Sequence, residues 1–175
     1  EQCLAEVLEC RAERFEATVK AWRAALKQPN LTVLTAQINR FHSQPDIADP
    51  ESDASQRGWS IVQEAQRQVA HSTPHLSVVP TLDLPLSDMI HNSPAGNMML
   101  GERMARTALG MVYGHDIHYK APDARSAQLV NDGKRIELTF ENVTDRMDNI
   151  SIESNCFVVE DEVDAVVLLI EITEE

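Results

Sequence analysis

Leu76-Ser77-Val78-Val79-Pro80-Thr81-Leu82 runs directly into Asp83-Leu84-Pro85-Leu86-Ser87-Asp88-Met89-Ile90-His91, and Pro94 opens a Met- and Leu-rich stretch just beyond. The first seven residues have the short, apolar composition of a strand, and Pro80, which cannot donate to a ladder, argues for an edge position or a bulge. Pro94 suits the first turn of a helix, with Asn92 or Ser93 as its cap. That helix is expected to run to Tyr113, with Gly114 stopping it. Strand, loop and helix in this order put Asp88 and His91, an Asp-x-x-His pair, in a strand-to-helix loop.

The flanking pattern sets the fold class. Leu4 to Lys27 carries Leu4, Val7, Leu8, Phe15, Val19, Trp22, Ala25 and Leu26 at helical spacing, and Pro29-Asn30 ends it. Leu31 to Ile38 reads as a buried strand. Ser43 to Gly58 is polar and Pro-containing, a long surface loop. Trp59 to Ala70 reads as the next helix, with Trp59, Ile61, Val62, Ala65 and Val69 on its apolar face, and His71 to His75 as a turn. Helix–strand–helix–strand–helix is an α/β pattern with a parallel sheet. Beyond Gly114 the pattern changes. Ala127–Val130, Lys134–Phe140, Ile150–Ile152, Cys156–Val159 and Val163–Ile172 are β-type runs, and Asn131-Asp132-Gly133 is a hairpin signal. We expect an α/β part over residues 1–120 and a small antiparallel β extension over residues 121–175.

Composition narrows the partners. The 175 residues carry a net charge of −13, which argues against nucleic acid and anionic membranes. The acid is concentrated late: between Glu137 and Glu175 lie twelve acidic residues against a single base, Arg146. That region reads as a solvated face; Glu160-Asp161-Glu162 and Asp164 lack the spacing of a calcium-binding loop. No apolar run is long enough to span a bilayer. Cys3, Cys10 and Cys156 give no disulfide framework and no metal-binding pair. The chain opens with Glu1, with no basic n-region followed by an apolar stretch, and the glycosylation-type triplets beginning at Asn30, Asn142 and Asn149 are short enough to arise by chance and do not fix a compartment.

A neutral imidazole takes a proton from a hydroxyl nucleophile near neutral pH, and a carboxylate fixes its tautomer. Asp88 and His91 have the residue types and the short spacing for this. Loops at the carboxyl ends of parallel strands are where α/β sheets place their sites. The alternative is that the two residues merely cap the following helix. His115 and His118 flank Asp116 but have no third metal ligand, and His71, His75 and His42 are weaker candidates. The sequence holds no Gly-x-Ser-x-Gly, Gly-Asp-Ser or Gly-Gln-Ser motif, and Ser60 of Gly58-Trp59-Ser60 reads as part of a helix.

Taken in order, these residues resemble a family. Trp59-Ser60-Ile61-Val62-Gln63-Glu64-Ala65-Gln66-Arg67, then Thr81-Leu82-Asp83-Leu84, Asp88-Met89-Ile90-His91 and Gly101-Glu102-Arg103-Met104-Ala105 resemble the closing blocks of sialate O-acetylesterase-like carbohydrate esterases, within the SGNH/GDSL hydrolase superfamily. Tyr113-Gly114 and Ile136 to Val143 resemble the β extension that follows the catalytic fold. The resemblance implies a flavodoxin-like three-layer α/β/α sandwich, present here in part, and a serine esterase removing acetyl groups from sugar hydroxyls. It makes His91 the general base and Asp88 its orienting acid. It also implies an N-terminal half carrying the serine and the oxyanion donors, of which Glu1-Gln2-Cys3 resembles a stub. The expected partners are an acetylated carbohydrate and that missing half, with no cofactor and no metal. A non-enzymatic binding or structural module derived from such an esterase is the competing expectation.

Overall fold

The computed structural model describes residues 4–41, 54–130, 135–143 and 169–174. It divides into two compact units, Glu1–Tyr119 and Lys120–Glu175. In the first, helix α1 (Leu4–Ala25), strand β1 (Val33–Ala36), helix α2 (Ala54–Ser72), strand β2 (Leu76–Val79) and helix α3 (Pro94–Met111) follow in order. The two strands pair in parallel, Val33 with Leu76 through Ala36 with Val79.

Side chains alternate across a strand, so the burial pattern assigns each helix to a face. Val19 of α1, Val69 of α2 and Leu76 of β2 form the core cluster, with Ala12, Phe15 and Val33 packed against it. Leu76 and Val33 therefore look toward α1 and α2. Leu34, one residue on, looks the other way and lines a concavity with Val112 at the end of α3. α3 packs against both strands. Helices on both faces of a parallel sheet give the expected three-layer α/β/α arrangement, on two strands among the described residues.

Arg23 of α1 ties this unit together. Its Nε donates to the carbonyl of Leu31 at 3.1 Å and its Nη2 to those of Pro74 and His75 at 2.7 and 3.2 Å. One guanidinium thus holds the approach to both strands. The end of α1 and the residue after it depart from the expected apolar stripe, because Trp22 and Leu26 are exposed.

Several boundaries differ from the sequence reading. Both strands are shorter than expected; β2 stops at Val79, directly before Pro80, which offers no N–H to a ladder. α2 begins at Ala54 rather than Trp59, so Gly58 lies inside a helix and not in the preceding loop. A single glycine costs a helix only about 1 kcal/mol relative to alanine, which nineteen residues with two buried apolar anchors tolerate. His71 belongs to that helix rather than to the turn. Ser93 caps α3, its hydroxyl accepting from the N–H of Gly96 at 3.1 Å, and Gly114 takes the left-handed conformation at φ 69°. Residues 42–53, which contain His42 and most of the expected long loop, lie outside the described residues, as do Cys3 and Cys156.

The second unit is described through strands β3 (Asp123–Val130), β4 (Arg135–Glu141) and β5 (Leu169–Glu174). β3 and β4 form the expected antiparallel pair, with an irregularity between Ala124 and Ser126. β5 joins the other edge of β4 in parallel, so the sheet is mixed. Runs of β-type residues set strand propensity, whereas strand direction depends on the path of the intervening chain. The hairpin signal at residues 131–133 and the runs at 150–152 and 156–159 lie outside the described residues.

Candidate active site

The loop between β2 and α3 is built inward before it turns outward. Leu84 is fully buried and Thr81 is 1% exposed, an unusual depth for a connection. The Thr81 hydroxyl donates to the carbonyl of Gln37 at 2.9 Å, just past the carboxyl end of β1. The N–H of Leu84 donates to the carbonyl of Thr81 at 3.0 Å, closing a tight turn. Two arginines then clamp the segment from either side. Arg40, beyond β1, reaches the carbonyls of Leu82 and Leu84, the latter at 2.9 Å. Arg103, in the middle of α3, donates to the carbonyl of Pro80 at 3.0 Å and grips both carboxylate oxygens of Asp83. The Arg103 guanidinium holds the Asp83 carboxyl below its ordinary range. Gly96 permits the return of the chain: a β-carbon there would stand 2.7 Å from the carbonyl oxygen of Pro85.

From Leu86 the loop becomes a small hairpin. Leu86 and Asn92 form an isolated antiparallel bridge, and the N–H of Ser87 donates to the carbonyl of His91 at 2.8 Å. Asp88 organises its interior. One carboxylate oxygen accepts from the N–H groups of Ile90 and His91 at 2.9 and 2.8 Å. The other stands 2.7 Å from His91 Nδ1. The sequence-predicted pair is therefore brought together, and the capping of α3 falls to Ser93 instead. Bonded at Nδ1, the imidazole has no partner at Nε2 among the described residues, and 71% of the His91 side chain is open to solvent.

The backbone N–H groups of Ile90 and His91, then the imidazole, pull the Asp88 carboxyl from 3.8 down to about 2. Hydrogen bonds to the ionised form depress a carboxyl in this way. The folded value lies below the unfolded one, so the contribution of these bonds is fully present above 3.8 and is lost as the pH falls through about 2. A carboxyl ¹³C titration of Asp88 is expected to show a midpoint near 2. A midpoint at the ordinary value would mean that the hairpin does not persist in solution.

One residue at the site, Asn39, escaped the sequence reading, and a second, Trp59, gains a role there. Asn39 is 7% exposed, just beyond β1, and its Nδ2 donates to Asn92 Oδ1, next to His91. Trp59 of α2 donates its indole N–H to the Asn39 carbonyl and stacks obliquely on Phe41, ring centroids 5.6 Å apart. In the sequence Trp59 reads as an apolar helix residue and as the head of a family-like block; its bond to Asn39 is what the structure adds. Ser60 lies within α2. His115 and His118 follow α3 on exposed backbone, and the thiol of Cys10 is exposed. The concavity of about 580 Å³ lined by Lys27 to Thr32, Leu34 and Val112 lies at the opposite end of β1 from His91. Among the described residues, no helix is long and apolar enough to cross a membrane.

Comparison with known proteins places this loop within a family. The family model described as carbohydrate esterase, sialic acid-specific acetylesterase matches residues 6–110, more than half of the chain. The crystal structure of a carbohydrate acetylesterase from Xanthomonas citri superposes with a TM-score of 0.58 over 75% of this chain, at 24% identity. That likeness is one of fold, and the matched region spans 28% of the Xanthomonas chain. No curated protein matches. The family match runs from the start of α1 through nearly all of α3 and includes both strands, Asp88 and His91. The chain belongs to the sialic acid-specific acetylesterase family of carbohydrate esterases.

Proposed function

We propose that this chain is the base-bearing part of a serine esterase that removes acetyl groups from sugar hydroxyls, with His91 as general base and Asp88 as its orienting acid. The observation that carries the reading is the 2.7 Å contact between His91 Nδ1 and Asp88, at the carboxyl end of the parallel sheet. The Xanthomonas citri neighbour, a carbohydrate acetylesterase, supports the substrate class.

In this mechanism Nε2 of His91 takes the proton of a serine hydroxyl as its oxygen attacks the acetyl carbonyl carbon. The imidazolium so formed is stabilised by the adjacent Asp88 carboxylate. It returns the proton to the sugar oxygen as the ester C–O bond breaks, leaving an acetyl-serine. A water deprotonated by the same Nε2 then releases acetate and regenerates the serine. Asp88 stays ionised through the cycle, because its carboxyl is held at about 2. Its role is to keep Nδ1 protonated and Nε2 basic.

The serine belongs, on this reading, to sequence outside these 175 residues, in keeping with the SGNH-type arrangement that the sequence resembles. No nucleophile motif of the expected kind occurs within them. The 175-residue chain alone is therefore expected not to hydrolyse p-nitrophenyl acetate, whereas the enzyme that includes the serine segment does. Turnover by the chain alone that His91→Ala abolishes would place the nucleophile within it. The lack of a serine motif also favours a second reading, a non-enzymatic module descended from an esterase. Inactivity of the longer protein on acetylated sugars and on p-nitrophenyl acetate would select it.

A further inference from the structure

We propose that Asn39 and Asn92 are a positioning pair that seats the His91 hairpin on the end of β1, a task distinct from the Asp88–His91 bond that orients the imidazole. The inference rests on the base role assigned to His91 above.

Its first support is that both polar atoms of the Asn39 amide are engaged. A buried amide costs stability unless its polar atoms are matched. The Oδ1 atom of Asn39 accepts from the N–H of Arg40 at 2.7 Å. A backbone N–H only donates, so the atom facing it is oxygen, and the amide nitrogen is left to face Asn92. That fixes the sense of the bridge: Asn39 Nδ2 donates and Asn92 Oδ1 accepts. The main chain of Asn39 is fixed as well, since its carbonyl accepts from the indole of Trp59 and from Gln63 Nε2 at 3.0 Å. A side chain 53 positions away in sequence is thus met by an amide immobilised from α2.

The second support is the contrast with the dyad. The bonds to Asp88 come from Ile90 and His91, within the hairpin itself. They settle how the imidazole is turned but not where the hairpin stands relative to the sheet. Asn92 is next to His91 and closes the hairpin through its bridge to Leu86. It is the point at which the hairpin is pinned to β1. Proton transfer from a nucleophile requires contact within about 3 Å. A displacement of about 1 Å in a catalytic group can cost a hundredfold in rate.

The test uses the serine-containing enzyme and p-nitrophenyl acetate, with Asn39→Ala, Asn92→Ala, the double variant and His91→Ala as the reference. Each single variant is expected to lower kcat about a hundredfold. The change in KM is expected to stay within about threefold. The double variant should be no worse than the weaker single, because both remove one bridge. The acid limb of the kcat/KM profile, which reports the imidazole, should stay where it is, since the dyad remains intact. Asn92 is only half-buried, so its variant carries the test if Asn39→Ala does not fold. Wild-type kcat in Asn92→Ala, losses that multiply in the double variant, or a displaced acid limb would each overturn the pair while leaving the base role standing. An active His91→Ala enzyme would instead overturn the base role, and the positioning role with it.

Discussion

His91→Ala in the serine-containing enzyme is expected to lower kcat/KM on an acetyl ester by roughly 10,000-fold. That corresponds to about 5.5 kcal/mol of lost transition-state stabilisation. The size follows from what the proposed mechanism asks of the imidazole twice, once toward serine and once toward water. Stability should barely change, because the side chain is 71% exposed and its ring bond is to a neighbour three residues away. A drop in activity accompanied by an unchanged melting temperature is therefore the expected signature. Asp88→Asn offers a graded companion. The amide keeps one oxygen for the N–H groups of Ile90 and His91 but turns an NH₂ toward Nδ1. The imidazole then favours the tautomer with the proton on Nε2, the wrong one for a base. Water can compensate part of this at so open a position, so the loss is expected nearer roughly a hundredfold. Equal activity in wild type and His91→Ala would remove the imidazole from the mechanism.

The largest expected effect on stability lies four residues before Asp88, at Leu84→Ala. Leu84 is fully buried although it sits in a loop. Its removal costs the transfer energy of the lost methyl groups and leaves a void, together about 2–5 kcal/mol. The void has little chance to collapse. Arg40 fixes the Leu84 carbonyl, its N–H is spent on Thr81, and Gly96 of α3 already stands close to its side chain. Urea denaturation should report the loss as a lower midpoint with an unchanged slope. A cost under about 1 kcal/mol would mean that the polar clamps, not this apolar plug, hold the loop.

What was legible in the sequence was whatever local chemistry decides. Pro94 marked the start of α3, because proline acts on its own backbone and its immediate neighbours; Pro80, read as an edge or bulge inside a strand reaching Leu82, instead stands just past the end of β2. Ser93 was one of two candidate caps, and its hydroxyl makes the bond that excludes Asn92 from that role. Asp88 and His91 were legible because three residues of separation in a turn suffice to join them. Asn39 was not. Its importance comes from Asn92 and Trp59, which are distant in sequence, and an asparagine after a short strand has no signature by itself. Gly58 misled for a related reason: a local preference for a break yielded to a helix anchored by Ala65 and Val69. The parallel approach of β5 to β4 was equally hidden, since direction is a property of the connection and not of Leu169–Glu174.

The Asp88 hairpin carries its own internal order. Asp88 and His91 are joined by bonds that neither the sheet nor any helix supplies, so on the proposed mechanism a shift of the hairpin carries acid and base together. The proposed acid–base couple is then a self-contained cassette of four residues, whose internal geometry does not depend on the walls around it.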